Sequence, residues 1–167
     1  CLHSRTFRPY ATRDVIGAQI GGAVKNVVAI AAGVAMGLDL GENARAALIT
    51  RGLAEMTRLG LAKGARQETL MGLSGMGDLL LTCGSAKSRN TSLGMEIATG
   101  RTVAEIMAER KSVAEGVFTA AALVDLSARI GVDMPITRAV HALLTLGTSP
   151  RELIDELLAR PLRAEQR

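Results

Sequence analysis

This 167-residue sequence predicts an all-helical domain, and three features of its composition and punctuation carry that prediction. Apolar residues make up 48% of the chain, enough to bury a continuous core in one domain of ordinary size or two small ones. With one Tyr, two Phe and no Trp, that core must be built from Ala, Leu, Ile, Val and Met, the residues of close-packed helices rather than of sheets. An all-β sandwich is thereby excluded. The third feature is the recurrence of helix start and stop signals: Asp14, Thr102 with Glu105, Gly131, and Ser149-Pro150 with Glu152. The 18 glycines are many for a helical protein, because Gly inside a helix costs about 1 kcal/mol against Ala.

In chain order, residues 4–10 have a hint of strand alternation, which Pro9 confines to an edge or an end; residues 1–13 read as the remnant or linker of a missing domain. From the N-cap Asp14, an apolar run extends from Val15 to Leu38, interrupted only by Gln19, Lys25 and Asn26. It is long enough to span a bilayer, but a central Lys costs about 2.5–3.5 kcal/mol on insertion and no aromatic belt flanks it. The run is therefore expected to be a buried central helix rather than a membrane span. Gly21, Gly22, Ala18, Ala29 and Ala32 give it a face of small residues that another helix or a ligand can approach.

A second helix is expected from Glu42 to Leu59, with Ala44, Leu48, Ile49, Leu53 and Met56 as its stripe, ended by Gly60 or Gly64. A short helix at residues 67–73 leads into the glycine-dense segment Gly72–Asp78 and then Leu79–Cys83. The polar loop 84–90 precedes a helix reaching Gly100. Thr102 and Glu105 form a capping box, residues 117–130 close on Gly131, Pro135 opens a helix ending near Gly147, and Ser149-Pro150-Arg-Glu152 opens the last. The expectation is about eight helices in a domain of residues 14–160, with 161–167 as a disordered tail.

The net charge of +4 suits an anionic small molecule as well as a polyanion, but the basic residues are dispersed and the aromatics nearly absent, which argues against a nucleic-acid surface. Cys1 and Cys83 make no disulfide framework and have no metal-ligand spacing, so a reducing, cytoplasmic setting is expected. The chain opens on Cys1 and is expected to be part of something longer.

Lys25 is the first candidate for chemistry: an ammonium in a Gly/Ala-rich buried helix is costly unless paired, neutralised or facing a wet cleft, and an amine kept from water suits acid–base work. A lysine whose head reaches bulk water is the alternative. Asn26 reads as a ligand contact or as half of a structural amide pair with Gln19. Gly72–Asp78 has the glycine density of a phosphate cradle, but no strand precedes it, and Asp78 after Gly more commonly caps a helix. Ser88, Arg89 and Asn90, just before a helix, have the parts of an anion site, although Ser88 or Asn90 can equally be the N-cap. His3, His141 and Cys83 lack partners and are assigned no chemistry.

Four segments, Asp14–Asn26, Ala46–Met56, Gly75–Cys83 and Ser88–Asn90, together resemble the C-terminal domain of bacterial NAD(P)-dependent glycerol-3-phosphate dehydrogenases. The resemblance runs from Phe7 to about Leu158, and four motifs in order are far more specific than one. It implies an all-helical domain of the 6-phosphogluconate dehydrogenase C-terminal type that follows a dinucleotide-binding Rossmann domain, whose glycine fingerprint this chain lacks. It further implies Lys25 as proton acceptor, with Asn26, Asp78, Thr82, Ser88, Arg89 and Asn90 around glycerol 3-phosphate or dihydroxyacetone phosphate. Arg89, Val113 and Glu115 would touch NAD or NADP, bound mainly by the absent domain. A homodimer acting in phospholipid metabolism would follow. The runner-up is a related β-hydroxyacid dehydrogenase, against which the Ser88-Arg89-Asn90 loop argues; the runner-up from another class is a non-catalytic dimerisation module.

Overall fold

In the computed structural model, residues 8–110 and 114–158 are described, and among them the only regular elements are helices. Residues 8–13 form no strand, because Pro9 removes a ladder donor and nothing pairs with the segment; residues 4–7 lie outside the described residues, as do Val113 and the tail 161–167. Nine α-helices and one π-helical turn follow: α1 (Val15–Gly37), α2 (Gly41–Ala62), α3 (Gln67–Leu70), the π turn (Leu73–Gly77), α4 (Asp78–Cys83), α5 (Arg89–Ala98), α6 (Val103–Glu109), α7 (Gly116–Ile130), α8 (Pro135–Thr145) and α9 (Pro150–Leu158). The extra element relative to expectation arises at residues 67–83, where α3 lasts a single turn and the glycines wind into a π turn running straight into α4.

Helix α1 is the central post. Asp14 caps it, one carboxylate oxygen accepting from the Gly17 amide at 2.8 Å and the other from Arg66 N–H at 2.7 Å, so one side chain fixes both the start of α1 and the approach to α3. The Arg66 and Gly17 amides also hold the Asp14 carboxyl below the usual range. The run from Val27 to Ala35 is wholly buried, and α2, α4, α5, α7 and α8 all pack on α1. Although α1 is long and apolar enough to cross a membrane, 72% of its most apolar window is covered by the protein's other helices.

Backbone proximity explains several glycines. A Cβ on Gly33 would sit 2.0 Å from the Thr91 carbonyl oxygen, and one on Gly94 2.0 Å from that of Ile30, so α1 and α5 cross at a point that admits no side chain. Gly60, expected to end α2, lies inside it instead, where a Cβ would meet Leu70 at 2.5 Å; Gly64, with φ of +85°, follows the helix end. The stripe of α2 holds at Leu48, Ile49 and Met56, joined by Leu59, with Leu53 partly buried.

The other capping signals act as written. Thr102 and Glu105 bond reciprocally, as do Ser149 and Glu152, and Gly131 ends α7 in the left-handed conformation. One cap comes from far away in sequence: Glu55 of α2, 1% exposed, accepts from the Ile136 amide at 2.5 Å, the Thr137 amide at 3.2 Å and the Thr137 hydroxyl at 3.0 Å, closing the N-terminus of α8.

Candidate functional site

Two polar clusters spring from adjacent residues of α1, Lys25 and Asn26. Lys25 projects from the middle of the helix, where its Nζ lies 2.5 Å from Asp78 Oδ2; the two side chains are 22% and 34% exposed. The ammonium is tied to a carboxylate and does not simply reach bulk water. Asp78 does not cap α4, since Gly77 holds that position and Asp78 is the first helical residue. Thr82, one turn on, donates to the Asp78 carbonyl at 2.6 Å, with Asp78 Oδ1 at 3.4 Å. The carbonyl of Thr82 accepts from the buried Thr91 hydroxyl at 2.8 Å, which links α4 to α5.

The glycine-dense segment supports this cluster by allowing close approach. A Cβ on Gly75 would stand 1.9 Å from the Leu70 carbonyl oxygen, and one on Gly21 2.3 Å from that of Ser74, so the π turn lies directly on α1 and delivers Asp78 to Lys25. Of the two glycines preceding Lys25, Gly21 meets this backbone while Gly22 faces open space. The small-residue face is thus divided between packing and an open flank.

The second cluster begins at Asn26. Its Oδ1 accepts from Asn90 Nδ2 at 3.0 Å, and its Nδ2 donates to Glu115 Oε2 at 3.2 Å. Asn90 Oδ1 in turn accepts from the Gly116 amide at 2.9 Å, so the two amides join α1, α5 and the start of α7. Gln19 is exposed and is not Asn26's partner. A Cβ on Gly116 would come within 2.8 Å of the Asn26 carbonyl oxygen, which is why a glycine stands there. Glu115 also accepts from Arg89 Nη2 at 3.1 Å, and these two side chains are 52% and 59% exposed. Ser88 is the N-cap of α5, its hydroxyl accepting from the Thr91 amide at 3.4 Å, while Asn90 points inward from the first turn.

Polarity is therefore graded, from buried amides at Asn26 and Asn90 to a half-open ion pair at Lys25 and an exposed guanidinium at Arg89. Of the predicted site residues, Lys25, Asp78 and Thr82 fall in one cluster and Asn26, Asn90, Arg89 and Glu115 in the other, with Ser88 at the head of α5. Val113 lies outside the described residues. Cys83 is buried, and burial pushes its thiol up to about 12, so it stays protonated and is no nucleophile. Among the described residues no group of three His, Cys, Asp or Glu is placed to hold a metal ion. Thr91 was not singled out by the sequence; its position beside Ser88-Arg89-Asn90 was the available signal.

Residues 14–155 match the family described as the NAD-dependent glycerol-3-phosphate dehydrogenase C-terminus. The chain belongs to that family. It is 61% identical over 164 residues to the glycerol-3-phosphate dehydrogenase [NAD(P)+] of Rhodospirillum rubrum, covering 98% of this chain and 47% of that protein. The Parvibaculum lavamentivorans enzyme of the same name is 57% identical over 160 residues, covering 96% and 48%. Among solved structures, glycerol-3-phosphate dehydrogenase from Coxiella burnetii superposes with a TM-score of 0.92 at 43% identity, over 95% of this chain and 49% of that one. That from Saccharomyces cerevisiae gives 0.84 at 31% identity, over 93% and 46%. The chain thus spans about half the length of the curated relatives it matches, the C-terminal half.

Proposed function

We propose that this chain is the substrate-binding and catalytic-lysine half of an NAD(P)-dependent sn-glycerol-3-phosphate dehydrogenase, which interconverts glycerol 3-phosphate and dihydroxyacetone phosphate. The observation that carries this reading is the Lys25–Asp78 ion pair, half open to solvent, one residue from the Asn26 amide that leads through Glu115 to Arg89. On this reading Lys25 is the acid–base group and Arg89 the guanidinium that a small phosphorylated alcohol requires, joined through Asn26 and Glu115.

Residues 14–160 would be the helical domain, with residues 1–13 linking it to a dinucleotide-binding half. Leu73, Leu80 and Leu81, exposed on the π turn and α4 beside Asp78, offer that half an apolar surface. On this reading the enzyme is a cytoplasmic homodimer, and the free buried Cys83 thiol suits a reducing setting.

A nicotinamide cofactor, when bound, supplies the hydride acceptor in the oxidative direction and, in its reduced form, the hydride donor in the reverse one. This chain has no dinucleotide fold among its described residues, and it offers the cofactor an edge formed by the exposed Arg89 and Glu115. Its other tasks are proton transfer and orientation. Lys25, held against Asp78, is the group that hands a proton to the substrate oxygen when the ketone is reduced. In the oxidative direction the neutral amine takes the C2 hydroxyl proton, and Asp78 stabilises the ammonium that results. Thr82 steadies the start of α4 that carries Asp78. Arg89 can give the phosphate two parallel charge-assisted hydrogen bonds, and binding energy gathered there orients the carbon centre.

The test is a comparison of two preparations. The full-length enzyme should reduce NAD+ or NADP+ with glycerol 3-phosphate, read as absorbance of the reduced nicotinamide, and the 167-residue chain alone should give no turnover. Turnover by the clean short chain, or none by the full-length protein with either cofactor, overturns the proposal.

A further inference from the structure

Arg110 follows α6 and is the least exposed of the ion-paired arginines among the described residues, at 15%. Its guanidinium lies along one face of α5. Nη1 donates to the Arg89 carbonyl oxygen at 2.8 Å, and Nη2 donates to Ser92 Oγ at 3.0 Å and to Glu96 Oε1 at 2.5 Å. Ser92 Oγ itself donates to the same Arg89 carbonyl at 3.2 Å. The other oxygen of Glu96 accepts from Arg101 Nη1 at 2.7 Å, and Arg101 Nη2 reaches Glu109 at 2.6 Å. The residues flanking α6 on either side are thus both fastened to one carboxylate of α5. Beyond Arg110 the chain returns at Glu115, which holds the Arg89 side chain, and at Gly116, which holds Asn90. Residues 110 and 115 therefore grip Arg89 from two sides, one by its main chain and one by its guanidinium.

An exposed arginine has many rotamers, and its fork is specific only if the backbone from which it springs is fixed before the anion arrives. Five donors in a rigid plane suit Arg110 to that task, since a single group spans a carbonyl, a hydroxyl and a carboxylate on successive turns of α5. We propose that Arg110 is a positioning residue of the substrate site: by holding the Arg89 carbonyl it sets the direction in which the Arg89 guanidinium meets a phosphate-bearing substrate. This rests on the reading of Ser88, Arg89 and Asn90 as the phosphate end of the site.

The experiment is a double-mutant cycle in the full-length enzyme, with wild-type turnover of glycerol 3-phosphate as its first arm. If the wild type does not turn over, the proposed function fails; the arms that follow concern Arg110 alone. Arg110→Ala should raise KM for glycerol 3-phosphate about tenfold with kcat within about twofold. In an Arg89→Ala background the same change should alter KM by less than about twofold, because the group it aims is already gone. Arg110→Lys, which keeps the charge but lacks the fork, should fall between wild type and alanine. Should Arg110→Ala fail to fold, Glu96→Gln, which preserves shape but replaces the carboxylate under Arg110 Nη2 with a neutral amide, takes its place in the cycle. Equal KM effects in both backgrounds, or a fall in kcat with KM unchanged, would show that Arg110 only fastens α6 to α5.

Discussion

Glu55 and Lys25 both place a charged group against packed apolar helices, yet their surroundings differ. Glu55 is sealed: the residue is 1% exposed and its carboxylate is met by two amides and a hydroxyl at the start of α8. Lys25 has one carboxylate partner, remains 22% exposed, and lies on the helix that carries the open flank at Gly22. A buried polar group whose bonding capacity is met within the chain serves the fold. Lys25 by contrast keeps donors to spare beside an open flank, which is what the proposed proton-transfer role asks of it.

The largest effect expected from this contrast is catalytic. Lys25→Ala in the full-length enzyme should lower kcat by about 10²–10⁴-fold while KM for glycerol 3-phosphate moves only a few-fold, as befits a proton-transfer group acting in the transition state. The melting temperature should hardly change, because a half-open ion pair contributes little to stability. Steady-state kinetics and a thermal melt of one preparation settle it, and an unchanged kcat would make Lys25 a surface cation.

Glu55→Ala should show the converse. Losing the carboxylate leaves the Ile136 and Thr137 amides unpaired at a buried helix start and opens a small cavity, a cost of about 2–5 kcal/mol in denaturant unfolding. Per folded molecule, turnover should be close to that of the wild type. A variant that kept its stability while losing activity would dissolve the distinction between the two regions.

Arg89→Ala should weaken kcat/KM for glycerol 3-phosphate by about a hundredfold, the loss expected for a charge-assisted bidentate contact, and leave unphosphorylated glycerol nearly unaffected. Added phosphite dianion should activate the wild type toward the truncated substrate and not the variant. Equal losses with and without the phosphate would assign Arg89 to the cofactor or to the fold.

How far the sequence foretold these regions follows from the range of the interactions. Capping by Asp14, Thr102 and Ser149 is local, with donor and acceptor three residues apart, and was legible. The helical character of α1 and α2 was legible for the same reason. Glu55 was not, because its partners are 81 and 82 residues away and its α2 position looks like any polar interruption of a stripe. The glycines of residues 72–77 were set aside as an anion cradle for want of a preceding strand, but their actual use was not legible: only the nearby Leu70 and Ser74 carbonyls show a π turn pressed against other backbone. Asn26 and Asn90 were singled out as contacts of the substrate, and the structure adds that each amide is already engaged across 64 residues. The two amides thereby join α1, α5 and the start of α7 in a network that no single segment reveals.

The smallest effect is a slope in pH, and it separates the two kinds of carboxylate in this chain. Burial raises the Glu55 carboxyl above its ordinary value, outweighing the Ile136 and Thr137 hydrogen bonds that oppose it. The folded state then keeps a proton that the unfolded chain has already released. Stability from this group is complete below the unfolded carboxyl value and declines as pH rises through the folded one. Asp14, Glu105 and Glu152 run the other way: amides at Arg66, Thr102 and Ser149 lower them, so what they add is present above the unfolded value and is lost as pH falls. Subtracting a Glu55→Gln variant from the wild type cancels those three and isolates Glu55. Urea midpoints of the two proteins between pH 4 and pH 7 should show the wild type losing ground to the glutamine variant as pH rises. If it gained ground instead, the hydrogen bonds at the start of α8 would outweigh burial, and Glu55 would join the exposed caps as a group that stabilises by being ionised.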